Sequence, residues 1–343
     1  QSTWGYQNDH ERFPIQVFSL SPKLAMAKDA SPTNEFSHAN VLSFKFPEKT
    51  FTYTERDAAL YALGVGACNI DAVDPPDLKY LYHKDGQNHI KVLPTFCTVF
   101  TGGSIIDELH LPGIKYDPSL LLHGQQYIEF YRPLPSSATT KNITSIAGLH
   151  DKGKAAIVEL EIKSFDANTN ELLCMNRFTV YLRGAGGFSK APQRYSYSNY
   201  PSNQVASVKI PKRHRFAEYE DHTHNSQALL YRLSGDYNPL HADPSVAEVA
   251  SFPRPILHGL CTLGFAARAI VKCVCGGDES LLKNILGRFL LHVFPGETLI
   301  TDMWLEGSRH ILFIHLFIFT FFFQDHLSDK GEGEEQPGTV WVR

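Results

Sequence analysis

Excess positive charge, paired cysteines and a bilayer-length apolar run are all missing from this chain. Its 32 lysine and arginine residues are outnumbered by 36 aspartate and glutamate residues, giving a formal net charge of −4 over 343 residues. Such a balance offers no electrostatic footing for a phosphate backbone, so nucleic acid is not an expected partner. The six cysteines (Cys68, Cys97, Cys174, Cys261, Cys273 and Cys275) are scattered, mostly in apolar runs. Only Cys273 and Cys275 lie close together, and a structural zinc site would need a second pair, so no metal is expected and the thiols should stay reduced and buried. The longest unbroken apolar stretches fall short of the ~20 residues of a membrane span. The segment 255–275 is interrupted by His258, Arg268 and Lys272 and by Gly259 and Gly264, which suit a core helix better than a span. The first residues lack a charged region followed by an apolar core, so they do not read as a signal peptide.

What is present is a chain 43% hydrophobic, long enough for two domains of ordinary size. Residues 1–40 read as an irregular leader, and because the first methionine is Met26, residues 1–25 are expected to be upstream or foreign sequence. A first unit covers 41–185. Thr54-Glu-Arg-Asp57 opens a helix to about Leu63, near Gly64 and Gly66, and an apolar stretch runs from Val92 to Ile106. Tyr127–Tyr131 reads as a strand, and 155–165 and 171–183 alternate around Asp166-Ala-Asn-Thr-Asn170 as a hairpin. A Gly/Ser/Pro/Asn-rich linker follows over 186–204, and a second unit spans 205–310. In it, 226–233 is expected to be helical, Pro255 should start a longer helix to about Cys275, and 284–294 and 297–304 should pair as strands. Beyond Gly307 two alternating strands should close this unit. Instead, Ile311–Phe323 is a solid apolar run followed by an acidic, Gly-rich tail, so 311–343 is expected to be an aberrant ending, with a single buried strand as the alternative.

Leu60-Tyr-Ala-Leu63 resembles Leu230-Tyr-Arg-Leu233 at an offset of 170 residues, a faint repeat that implies two related halves. The most informative run follows the second copy: Tyr231-Arg-Leu-Ser-Gly-Asp-Tyr-Asn-Pro-Leu-His241. Pro239 prevents a regular helix there and pushes Asn238 toward extended geometry, so Asp236, Asn238 and His241 project from a bent backbone. An acid and an imidazole together supply a charged acceptor and a group that exchanges a proton near neutral pH, which is the equipment for adding water across a double bond. Which of the two is base remains open. Moving back by 170 residues lands on Gly66 and Asp71, so one chemical site per chain is expected. Gly259 lies near a helix start, where free N–H groups favour a developing oxyanion and the absent Cβ permits close approach.

Residues 231–244, with Phe252-Pro-Arg-Pro-Ile-Leu-His-Gly-Leu-Cys-Thr-Leu-Gly-Phe265, closely resemble the hydratase 2 motif of the MaoC-like hot-dog enzymes. Tyr61-Ala-Leu-Gly-Val-Gly66, Leu93-Pro-Thr-Phe96 and Leu122-His-Gly-Gln-Gln-Tyr127 resemble the matching N-terminal half, and the likeness covers about residues 41–309. It implies an α+β double hot-dog fold and the reversible hydration of trans-2-enoyl-CoA to (3R)-3-hydroxyacyl-CoA in fatty-acid β-oxidation. It implies further that Asp236 and His241 hold and activate one water, that Asn238 orients the site and that the Gly259 N–H polarises the thioester oxygen. Substrate contacts carry over to His123, Gly124, Lys152, Tyr237, Pro239, Leu240 and Phe289, with no cofactor apart from the CoA of the substrate.

The first half, without the pair, should bind the acyl-CoA, with space for a long chain where Gly64 and Gly66 weaken its helix. His123 and His258 read equally as core or substrate residues. Arg268, Lys272, Lys283 and Arg288 read as a solvated face or as CoA phosphate contacts. The resemblance points to peroxisomes, whereas the end Val340-Trp-Val-Arg343 is not a Ser-Lys-Leu-like tripeptide and leaves the cytosol as the alternative. A homodimer is compatible with the sequence. The competing functions are a hot-dog acyl-CoA thioesterase and an inactive acyl-CoA binder or misfolded truncated form.

Overall fold

The computed structural model describes residues 36–100, 109, 111–117, 121–189, 192–199, 212–306, 310–318 and 338–342, with 306, 310–318 and 338–342 described by their backbone. The expected leader at 1–25 and most of the acidic tail lie outside the described residues, as do parts of the Val92–Ile106 stretch and of the linker.

Five strands form the first half: β1 (Lys49–Tyr53), β2 (Leu121–Phe130), β3 (Ala138–Asp151), β4 (Ala155–Asp166) and β5 (Leu172–Arg183). The short β6 (Ser196–Ser198) pairs with β3. Five more form the second half: β7 (Ala217–His222), β8 (Leu282–Arg288), β9 (Thr298–Glu306), β10 (His310–Ile318) and β11 (Gly338–Val342). Their order in one continuous antiparallel sheet is β1-β3-β4-β5-β2-β8-β11-β10-β9-β7. Read outward from the β2–β8 junction, the two halves have the same topology, since β2, β5, β4, β3 and β1 match β8, β11, β10, β9 and β7. At the junction Tyr127 faces Leu286 and Ile128 faces Ile285. The double hot-dog expected from the sequence is present, with its two half-sheets fused.

For the described start of the expected ending, the structure has the alternative, a strand. His310–Ile318 is a strand, paired with β9 along its whole length and with β11 at its start, so it fills in the second half the place of β4 in the first.

The described helices are α1 (His38–Leu42), α2 (Glu55–Gly64), α3 (Pro75–Leu78), α4 (Gln227–Tyr231), α5 (Pro244–Val249) and α6 (Gly259–Cys273). The start of α2 is fixed by Asp57, whose carboxylate accepts the Thr54 N–H and hydroxyl at 2.8 Å each. One large core joins the halves: Tyr61 and Val65 of the α2 region, Phe96 and Phe100, and Phe265 and Ile270 of α6 are all buried in it.

The halves also meet through a buried ion network. Arg268 on α6 donates to Asp77 on α3 at 2.6 Å, to Asp221 on β7 and to the Val65 carbonyl at 3.1 Å. One turn on, Lys272 donates to Asp74 and to the Tyr219 hydroxyl. Both readings offered for Arg268 and Lys272, solvated face and CoA contact, are therefore corrected: these cations are structural. Space beside Gly64 and Gly66 is also not found. A Cβ on Gly66 would stand 2.2 Å from the Phe265 ring, and one on Gly64 would stand 3.4 Å from the Tyr231 Cα. The glycines let α2, α4 and α6 pack closely.

Candidate active site

The bent run is built by local chemistry. After α4 a 3₁₀ turn (Arg232–Ser234) ends at Gly235, whose φ of 123° suits glycine and turns the chain into Asp236. The Asn238 side chain accepts the Leu240 N–H at 3.0 Å and caps a second 3₁₀ turn, Pro239–His241. The Asn238 N–H in turn donates to the Asp236 carboxylate at 3.2 Å. Leu240 is fully buried with Val246, Phe252, Ile256 and Phe294, which pins the loop to the body of the second half.

His241 points back into this anchor. Its Nδ1 lies 2.8 Å from the Ile256 carbonyl, which can only accept, so Nδ1 carries the proton and Nε2 is left to act as acceptor. Burial pushes its pKa below the ordinary histidine value, while the charge of Asp236 pulls the other way. His258, N-cap residue of α6, stacks on it with ring centroids 3.7 Å apart and planes inclined by 30°. His258 Nε2 lies 3.2 Å from the Asp236 main-chain carbonyl, and its Nδ1 is buried without a partner. Burial, with the neighbouring His241, drives its pKa well below the ordinary value.

One side-chain donor or acceptor atom from each of Asp236, His241 and His258 lies within 4.8 Å of the others. Two hydrogen bonds of ~2.8 Å through one water span about that distance. A shared metal ion fits less well. The ring centroids are 3.7 Å apart and the planes inclined by 30°, whereas an ion shared by two imidazoles must lie near both ring planes, roughly 2.0–2.1 Å from each nitrogen. Stacked rings send their lone pairs side by side, not to a common point.

Gly259 is the first residue of α6, so its N–H has no acceptor within the helix. A Cβ there would stand 3.0 Å from the Phe289 ring. Phe289 follows β8, and its N–H donates to the Gly124 carbonyl at 3.0 Å. Beside it, at a bulge in β2, the His123 ring meets the edge of Phe289 with centroids 5.0 Å apart. Burial pushes the pKa of His123 down to about 4, and its Nε2 has no partner. The first half thus supplies one wall of the site.

Of the residues expected from the sequence, the structure gathers Asp236, His241, Gly259, Phe289, His123 and Gly124. Three others stand apart from this group. Lys152 is exposed in the β3–β4 turn, its N–H donating to the Ala155 carbonyl. Leu240 is a core side chain, which leaves only its backbone for a ligand. Tyr237 is 58% exposed and lies under the Arg232 guanidinium. Asn238 and Pro239 shape the loop. His258 is the member that sequence reasoning left undecided; the available signal was its place immediately before the helix-opening glycine.

Two half-sheets of matching topology joined into one, with an acid–imidazole pair beside a helix head, define a double hot-dog protein of MaoC type. Residues 51–184 match the model of the MFE-2 hydratase 2 N-terminal domain, and residues 206–315 match the MaoC like domain. Over 82% of its length the chain is 64% identical to the peroxisomal enoyl-CoA hydratase 2 of Arabidopsis thaliana, covering 91% of that protein. The crystal structure of a MaoC-like dehydratase from Phytophthora capsici superposes with a TM-score of 0.72 at 32% identity, covering 90% of this chain and 99% of that one. A Mycobacterium tuberculosis protein described as having a double hotdog fold shares the fold at 14% identity, with a TM-score of 0.51, over 87% of this chain and 94% of its own. The chain belongs to the hydratase 2 family of MaoC-like proteins.

Proposed function

We propose that this chain hydrates trans-2-enoyl-CoA reversibly to (3R)-3-hydroxyacyl-CoA. The observation that carries the reading is the convergence of Asp236 and the bare Nε2 of His241 beside the first N–H of α6. Both groups accept hydrogen bonds, so together they hold the two hydrogens of one water and leave its oxygen lone pairs toward the substrate. The Gly259 N–H, assisted by the helix dipole, draws charge onto the thioester oxygen and makes the β-carbon electrophilic. The water oxygen then bonds to the β-carbon and one of its protons passes to the pair. The π electrons move toward the thioester, and the α-carbon takes a proton back from the pair. Nothing is oxidised or reduced, and the enzyme ends in its starting protonation state.

His123, Gly124 and Phe289 form the wall against which the thioester lies, with the acyl-CoA crossing from the first half to the second. The name of the Arabidopsis relative supports a peroxisomal setting. Among the described residues no helix is long and apolar enough to cross a membrane.

The test is direct. Purified chain, given trans-2-decenoyl-CoA, should remove the enoyl absorbance and yield a product oxidised by a (3R)-specific but not a (3S)-specific dehydrogenase. Release of free CoA thiol at the rate of substrate loss would mean hydrolysis and would replace this reading with a thioesterase.

A further inference from the structure

We propose that His258 is a positioning residue for the hydration: it ties the Asp236 main chain to the head of α6 and backs one face of His241, so that the water-holding pair and the Gly259 amide keep one fixed arrangement. The inference rests on the hydration reading and deepens it. Three observations carry it. His258 Nε2 meets the Asp236 carbonyl at 3.2 Å. Its ring lies face to face with His241 at 3.7 Å. Its own backbone is the N-cap that directly precedes Gly259.

The bond fixes the tautomer. A carbonyl accepts only, so Nε2 bears the proton and Nδ1 is bare. His258 is 1% exposed and its bare Nδ1 has no partner, a buried acceptor left unmet at a desolvation cost. The groups that face it are Asp236 and His241 on the loop, Tyr231 at the end of α4 with ring centroids 4.9 Å away, and the Arg232 cation. A charge on His258 would oppose the charge that His241 must accept when it takes a proton from water. Burial prevents this, so His258 serves as an uncharged backing for an imidazolium that forms and disappears in each turnover. Shielding by this ring also keeps solvent from one face of His241, one reason that its pKa lies below the ordinary value.

Two variants of the full chain separate the tether from the ring. His258→Phe keeps a ring and removes the donor; His258→Gln keeps a donor and removes the ring. With trans-2-decenoyl-CoA, each should lower kcat by about ten- to hundredfold with little change in KM, because misplacing reacting groups by about 1 Å costs that much. His258→Gln should also move the acid limb of the kcat–pH profile upward, toward the ordinary histidine range, whereas His258→Phe should leave it in place. Wild-type kcat in both variants would overturn the proposal. So would a loss of kcat that follows the melting temperature alone while the Gln variant keeps the parental acid limb. Nitrogen-15 spectra of the wild-type imidazoles, with His258 assigned through its bond to the Gly259 amide, give a readout free of turnover. An uncharged, Nε2-protonated ring at neutral pH is expected, and a charged or Nδ1-protonated ring would overturn the tether. An inactive wild-type chain would instead sink the hydration reading, and the nitrogen spectra would still decide the tether.

Discussion

Replacing Arg268 with methionine takes the nearest cation from two buried carboxylates, leaving Asp77 only the more distant Lys272 at 3.7 Å. Arg268 is 2% exposed, Asp221 1% and Asp77 3%. Methionine keeps the aliphatic stem and removes the charged, hydrogen-bonding head, so the larger part of the change is electrostatic. Removing one partner of a buried ion pair costs about 3–5 kcal/mol, because the remaining charge is left without compensation. Protonation can relieve part of this. In the intact protein the pKa of Asp221 is raised to about 6, since burial outweighs the pull of Arg268. A carboxyl whose folded value exceeds its unfolded value of 3.8 lends stability that is complete below that value and is lost as pH rises through about 6. Without Arg268 the folded value climbs further and the loss extends to higher pH. Arg268→Met should therefore be less stable than the parent by about 3–5 kcal/mol at pH 8, and by clearly less at pH 5, where a proton neutralises Asp221. Adding Asp77→Asn and Asp221→Asn should restore most of the difference. Urea unfolding of the whole chain at both pH values measures it. An equal deficit at pH 5 and pH 8, or no recovery in the triple variant, would refute the reasoning.

Other outcomes follow from the site. Asp236→Asn and His241→Gln should each cut kcat by about 10²–10⁴-fold while substrate affinity, measured by calorimetry with a saturated acyl-CoA, stays near the parental value. Gly259→Ala retains the amide but drives a methyl to 3.0 Å from Phe289, so the wall shifts and kcat should fall by about tenfold or more in steady-state assays. Only an unprotonated His241 Nε2 can accept from the water, and burial lowers the pKa of His241. The acid limb of turnover should therefore lie below 6.5; an acid limb above that value would contradict a need for unprotonated His241.

Much of this arrangement was legible in the residues because local chemistry determines it. Asp57 beside Thr54, the alternation around Asp166, and Pro239 between Asp236 and His241 each act within a few positions, and each produced the expected element. What stayed hidden depended on distant partners. Pro255 was expected to open the long helix, yet α6 starts at Gly259. The intervening backbone is engaged elsewhere: the Ile256 carbonyl accepts from His241, and the Leu257 N–H donates to Val293 at 2.7 Å. Arg268 looked like a surface cation because nothing near it in sequence shows that Asp77 and Asp221 close around it. His258 could be a core histidine or a site residue from its neighbours alone; only the fold stacks it on His241.

The unequal chemistry of the two halves follows from how they pack. Their strands correspond one to one, and the repeat aligns Tyr61 of α2 with Tyr231 of α4, whose rings meet with centroids 6.0 Å apart. At the positions that correspond to Asp236 and His241 stand Gly66 and Asp71. Gly66 has φ 82° and lies against the Phe265 ring of α6, so no side chain fits there. Asp71 is exposed, its carboxylate accepting the Val73 N–H at 3.0 Å. The first half therefore gives the volume of a second catalytic loop to the helix that carries Gly259. Its remaining contribution, His123 and Gly124 on β2, reaches the site across the β2–β8 junction. A reciprocal pair engineered at 66 and 71 would meet Phe265 before it met a substrate. Among the described residues, the lack of an acid–imidazole pair in the first half is thus a property of the core, set by the same contacts that place α6.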